Sequence, residues 1–181
     1  FLCYFEATQR CDQGCPNCMS ERATPPANTE LSTDEAQRLV LDELKAVYPK
    51  GAVSFSGGEI LQRPDHLELV AHNARNGLYT FVNTSGSGLD AAKLRQLNNA
   101  AAGRLTMGFS LDSVDEDIQK RCRTGGRENL ERLLDCARRN RFPTSFWSRS
   151  PGRTSSRCAP RWSGCIRKKS PSSALPSCRA A

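Results

Sequence analysis

The sequence has no long apolar run. Nothing in it approaches the roughly 18 residues that a membrane-spanning helix needs, and no secretory signal pattern opens it. Its last 37 residues, Ser145 to Ala181, contain no Asp or Glu at all. The net charge of +7 is therefore a property of that tail, since all 19 acidic residues precede Ser145 alongside 18 of the 26 Lys and Arg. A basic balance confined to a tail is not the footprint of a nucleic-acid interface, and neither nucleic acid nor membrane is expected as a partner. A disulfide framework fits poorly: the nine cysteines are odd in number, three crowd one short stretch and three fall in the tail. That distribution suits a reduced, cytoplasmic setting. The first residue is Phe rather than Met, so an N-terminal piece is expected to be lost or omitted.

Between Leu2 and Phe146, short apolar runs alternate with amphipathic helical segments, the rhythm of repeated βα units on a mostly parallel sheet. Strands are expected at Leu2 to Ala7, Ala52 to Phe55, Leu78 to Val82, Leu105 to Leu111 and from Thr144. The first helix should start at the capping-box pair Ser32 and Glu35 and bury Ala36, Leu39, Val40, Leu44 and Val47, with Pro49 and Gly51 ending it. Pro64 should open the next helix, through Leu67, Val70 and Ala74 to Asn76 and Gly77. Asp90 starts a third to about Asn98, and Glu128 to Asn140 reads as a fourth.

After about Trp147 the regular pattern stops. Ser, Arg, Pro and Cys scatter without helical or strand period, which predicts two regions: a folded core over 1–146 and a low-complexity tail over 147–181. The tail reads either as disordered, since it cannot bury enough surface to offset ordering, or as a frame-shifted translation. A core broken off near its fifth strand would also leave an unpaired sheet edge.

In a parallel α/β sheet, function gathers at the carboxyl ends of the strands, and here unusual residues fall there four times. After strand one comes "RCDQGCPNC", with Cys11, Cys15 and Cys18 spaced C-x3-C-x2-C. Strand two ends in "SGGE", with Gly57, Gly58 and Glu59. After strand three comes "NTSGSG", beginning Asn83-Thr84, and strand four ends in "SLDS" from Ser110. Three thiols are one too few for a closed tetrahedral metal site. Glycines without a Cβ let a ligand approach the backbone, and Glu59 can accept hydrogen bonds from an ammonium group.

The cysteine loop followed by "GGE" resembles the radical S-adenosylmethionine superfamily over roughly Leu2 to Phe146. The resemblance implies a partial (β/α)6 TIM-like barrel, incomplete after about strand five. It implies that Cys11, Cys15 and Cys18 ligate a [4Fe-4S] cluster, leaving one iron open for S-adenosylmethionine. The expected activity is reductive cleavage of that cofactor to a 5′-deoxyadenosyl radical, which abstracts hydrogen from a peptide or small-molecule substrate. An external electron donor such as flavodoxin or ferredoxin is implied as well. By the same resemblance Gly57, Gly58 and Glu59 receive the methionine amino group, Asn83, Thr84 and Ser110 contact the methionine and ribose parts, and Arg123 pairs with the carboxylate. The family usually has an aromatic residue before the third cysteine, where this sequence has Asn17.

Two other readings stand beside this one. The chain could be a non-catalytic iron–sulfur-binding fragment. It could also be a zinc-binding α/β module, because Cys15 and Cys18 form a C-x2-C half-site. Structural zinc usually takes a second such pair, which Cys122, Cys136, His66 and His72 do not form. The tail cysteines Cys158, Cys165 and Cys178 lack the spacing of a second cluster site.

Overall fold

The structure is a computed structural model that describes residues 1–16, 18, 30–113, 115–124, 128–139 and 144–147. Asn17 and the tail cysteines lie outside the described residues. Five strands, β1 (Leu2–Thr8), β2 (Ala52–Gly57), β3 (Tyr79–Thr84), β4 (Leu105–Ser110) and β5 (Thr144–Trp147), form one sheet in sequential order. Every neighbouring pair is parallel. The expected strands are therefore all present, the fifth running to Trp147.

Helices supply the crossovers that parallel pairing requires. The first crossover is α1 (Thr33–Ala36), a π-helical segment (Gln37–Asp42) and α2 (Glu43–Val47). The others are α3 (His66–Arg75), α4 (Ala91–Ala100), α5 (Glu116–Cys122) and α6 (Glu128–Arg139). The capping box forms as its residues require: Ser32 Oγ accepts from the Glu35 amide at 3.3 Å, and Glu35 Oε2 accepts from the Ser32 amide at 2.9 Å. Asp90 caps α4 by accepting from the Lys93 amide at 2.8 Å.

One face of the sheet is closed by these helices. Val53, Phe55, Val82, Leu105, Met107 and Phe109 pack in a single core with Leu41, Leu69, Val70, Leu94 and Leu97. Each is 0–1% exposed, so each removes a full side chain from water, worth about 1.5–3 kcal/mol apiece. The other face carries Tyr4, Ser54, Phe81 and Thr106 in register across four strands. Such a one-sided parallel layer is the wall of an incomplete (β/α) barrel.

Two local expectations are corrected. Leu39 and Val47 do not face the core; they are 53% and 64% exposed, while Leu41 is fully buried. The cause is the π segment, whose i→i+5 ladder turns the helix so that Ala36 and Leu41, five apart, share the buried face. Pro64 does not open α3: Ile60–Gln62 form a 3₁₀ turn, and the helix begins at His66. The helix after β4 is capped by Asp115, which accepts from the Ile118 amide at 3.0 Å.

Candidate functional site

The carboxyl end of β1 carries an irregularity that shapes the site. Its register with β2 slips between Glu6 and Thr8, leaving Ala7 without a partner residue. The backbone of Thr8 to Arg10 then runs against the end of β2. The Gly58 amide donates to the Thr8 carbonyl at 2.7 Å, and the Glu59 amide to the Arg10 carbonyl at 2.7 Å. This approach requires glycine twice. A Cβ on Gly57 would lie 2.1 Å from the Thr8 carbonyl oxygen, and one on Gly58 would lie 2.2 Å from that of Arg10. Gly57 also has φ +118°, a conformation closed to most side chains. Thus the closest approach to this glycine pair is made by the root of the cysteine loop.

Glu59 is 1% exposed and its carboxylate is fully engaged. Oε1 accepts from Thr84 Oγ1 at 2.8 Å and from the Leu61 amide at 3.4 Å. Oε2 accepts from the Ser85 amide at 2.8 Å and Ser85 Oγ at 2.7 Å. Burial pushes the carboxyl above its ordinary range, against the downward pull of the Ser85 and Thr84 donors. Glu59 therefore ties the end of β2 to the end of β3. Thr84 Oγ1 extends the link by accepting from the Gly86 amide at 2.9 Å. Asn83 reaches back to β2, donating to Ser54 Oγ at 2.8 Å. Its Oδ1 fills the space over Gly108 of β4, where a Cβ would lie 2.1 Å away.

The cysteine loop is fastened at two further places, one beyond β3 and one beyond α5. Ser87 Oγ, beyond β3, donates to Asp12 Oδ2 at 2.5 Å, and the Gly14 amide donates to Thr124 Oγ1, beyond α5, at 3.0 Å. Cys11 and Cys18 are exposed and Cys15 is buried. Burial pushes the Cys11 thiol up, and the nearby negative groups Glu59, Asp12 and Cys15 add to it against the Gln13 amide, which approaches Cys11 Sγ at 3.4 Å. Arg123 pairs with Asp112 at 2.6 Å. Despite burial, Asp112 and the Cys15 and Cys18 sulfurs hold its guanidinium above its ordinary range. Ser110 closes β4 half-buried.

All four strand ends singled out in the sequence thus lie on one edge, and Cys11, Cys15, Gly57, Gly58, Glu59, Thr84 and Arg123 are joined there through their neighbours. Asp12, Ser85, Ser87 and Thr124 also build the site, and sequence reasoning did not single them out. Their signal was position, inside or just beyond stretches already rich in Ser and Gly.

Among the described residues no three His, Cys, Asp or Glu side chains are gathered as a metal-holding group. The donor chemistry nonetheless fits an iron–sulfur cluster: three soft thiols on one short loop, at the carboxyl edge of the sheet. Within that loop Gln13 Oε1 is buried without a hydrogen-bond partner among the described residues.

A parallel α/β barrel wall with a three-cysteine loop at its carboxyl edge defines a class. The family model of the radical SAM superfamily matches residues 5–153, and the chain belongs to that superfamily. It resembles the PqqA peptide cyclase of Granulibacter bethesdensis, with 35% identity over 121 residues that make up 67% of this chain and 31% of that protein. It also resembles the Fe-coproporphyrin III synthase of Methanosarcina barkeri, 32% identical over 113 residues, or 62% of this chain and 27% of that protein. The chain thus spans about a third of the length of the curated relatives it matches. A solved structure described as native anSMEcpe with bound AdoMet has the same fold, with a TM-score of 0.63 at 16% identity over 80% of this chain and 42% of that one. No helix among the described residues is long and apolar enough to cross a membrane.

Proposed function

We propose that the chain forms the cofactor-binding edge of a radical S-adenosylmethionine enzyme. Cys11, Cys15 and Cys18 would hold a [4Fe-4S] cluster, and S-adenosylmethionine would bind over the strand ends that carry Gly57, Gly58, Glu59, Asn83, Thr84 and Ser110. Together these groups, when bound, supply reductive cleavage to a 5′-deoxyadenosyl radical that abstracts hydrogen from substrate. The observation that carries this reading is the fastening of the cysteine loop to β3 through Asp12 and Ser87 and to the end of α5 through Gly14 and Thr124.

The chain's own residues do the placing. Glu59 accepts four donors from β3 and its own turn, so its contribution to ligand binding is to fix the backbone around it. Gln13 Oε1, without a partner among the described residues, is an acceptor that a ligand donor could use. Arg123, held by Asp112, brings positive charge to this edge, where it would offset the negative charge of a cluster or pair with a carboxylate. The substrate is a peptide or a small molecule, in keeping with relatives that carry peptide-cyclase and porphyrin-synthase names. An external one-electron donor such as flavodoxin or ferredoxin is required, and a cytoplasmic setting suits the free thiols.

Anaerobic reconstitution tests the proposal. The full chain should take up iron and sulfide equivalent to about one cubane, and Cys15→Ala should abolish that uptake. With reductant and S-adenosylmethionine, 5′-deoxyadenosine should appear. Uptake without that product would make the chain a non-catalytic cluster-binding piece. No iron uptake, with zinc bound instead, would overturn the assignment.

A further inference from the structure

The stretch that carries the three cysteines leaves the sheet after Thr8 and rejoins the described fold at Glu30. Both ends of it are held by one side chain that lies outside it. Arg63 is 4% exposed. Its Nη1 donates to the Ala7 carbonyl at 2.6 Å and its Nη2 to the Leu31 carbonyl at 2.8 Å. Ala7 is the residue that the register slip leaves without a partner in β2. Asp65 fixes the guanidinium as a fork, accepting from Nε at 2.8 Å and Nη2 at 2.9 Å, while Thr33 Oγ1 donates to Asp65 Oδ2 at 2.6 Å. A planar, always-charged donor set suits this task, because it can grip two carbonyls and a carboxylate in one fixed geometry where a lysine could not.

A second contact doubles the closure. Glu30 Oε1 accepts from Thr8 Oγ1 at 2.6 Å and from the Gln9 amide at 3.1 Å, and Glu30 Oε2 lies 3.3 Å from Arg10 Nε. Thr8 Oγ1 in turn accepts from the Arg10 amide at 3.1 Å. The first residues of the loop are thus tied to its last. Arg63 and Asp65 follow Glu59 by four and six residues, so the turn that grips the loop's root through the Gly58 and Glu59 amides also grips its far end.

We propose that Arg63 is a positioning residue that, with Glu30, clasps the mouth of the cysteine loop before any cluster is present. The inference rests on the proposed role of Cys11, Cys15 and Cys18 as cluster ligands, but the clasp itself belongs to the metal-free chain. Holding Thr8 against Glu30 closes the loop in advance, so part of the entropy of bringing the three thiols together is lost before metal arrives.

The test compares wild type, Arg63→Gln and Arg63→Lys as full chains. In the metal-free protein, hydrogen exchange should speed up at the Gln9 and Arg10 amides in Arg63→Gln, while exchange in β3 and β4 stays as in wild type. After reconstitution, Arg63→Gln should lose its cluster to a chelator about tenfold faster, within the range seen when residues supporting metal ligands are removed. Its reduced-state paramagnetic resonance spectrum should shift, and Arg63→Lys should recover part of both effects. If Arg63→Gln does not fold, Glu30→Ala breaks the other half of the clasp without leaving Asp65 unpaired, and the same changes are expected. Unchanged loop exchange and cluster lability in a folded variant would overturn the clasp. Failure of wild type to take up a cluster would instead overturn the proposed function, and the exchange result in the metal-free chain would still decide the clasp.

Discussion

Replacing Glu59 with Gln tests how the edge of the sheet is held together. The carboxylate is 1% exposed and accepts from four donors, two of them backbone amides, those of Leu61 and Ser85. A Gln amide has one oxygen and one NH2 group. In either orientation its NH2 faces one of those two amides, while the Thr84 and Ser85 hydroxyls can turn and accept. A buried donor left without an acceptor costs about 1–3 kcal/mol. With a urea dependence of about 2 kcal/mol per M, the unfolding midpoint should fall by about 1 M at constant slope. There is a pH signature as well. Burial, the largest influence, holds the Glu59 carboxyl above its ordinary range, so the folded chain binds that proton more tightly than the unfolded one. The group's contribution is therefore complete below the unfolded-state pKa and declines as pH rises through the folded-state value. Gln has no such slope, so the gap between wild type and Glu59→Gln should narrow with rising pH across that window. A Glu59→Gln chain with an unchanged midpoint would refute the hydrogen-bond assignment, and a gap that widens with pH would refute burial as the larger influence on the carboxyl.

Other substitutions separate neighbouring causes. Leu41→Ala should cost about 2–5 kcal/mol in urea unfolding, because Leu41 is fully buried, whereas Leu39→Ala, at a position 53% exposed, should stay within about 0.5 kcal/mol. Equal costs would mean that the helix face does not turn at the π segment. Gly58→Ala drives a Cβ to 2.2 Å from a backbone oxygen and should cost about 3 kcal/mol or more. Gly103→Ala, at φ +74° with nothing within 4 Å, should cost only about 1–2 kcal/mol of backbone strain, so the reverse order in thermal unfolding would discard the close approach. Glu30 lies below its ordinary range: burial alone would raise it, but the Thr8 hydroxyl, the Gln9 amide and Arg10 outweigh that. Its contribution is present above the unfolded-state value and lost as pH falls through the folded one, so Glu30→Ala should destabilise at neutral pH and cease to matter in acid.

The strands and the carboxyl-edge clusters were legible because both have local signatures. Alternating apolar runs mark β2 to β4, and the C-x3-C-x2-C spacing stands out in any context. Gly57 and Gly58 were legible as a place of close approach, but the sequence could not say that the loop's own backbone, at Thr8 and Arg10, makes that approach. The π segment was hidden because its residues read as an ordinary amphipathic helix and only the hydrogen-bond ladder changes the face. Arg63 was invisible for a different reason. Its partners are carbonyls 56 and 32 residues away, and main-chain acceptors leave no trace in side-chain pattern. Asp65, two residues on, was the one hint, since an acid so close to a buried arginine neutralises it at little cost in chain order.

The strict sequential order of the sheet has a consequence for synthesis. Because, among the described residues, β1 to β5 pair in chain order, each strand can dock on the one before it as it leaves the ribosome, with no wait for a distant strand among them. The ties at the loop's root and mouth come from residues no later than Asp65, whereas Ser87 and Thr124 arrive afterwards. A nascent chain released as far as α3 would already hold its cysteines in an anchored loop, so the order of translation is also an order in which thiols are restrained before the rest of the wall stands beside them.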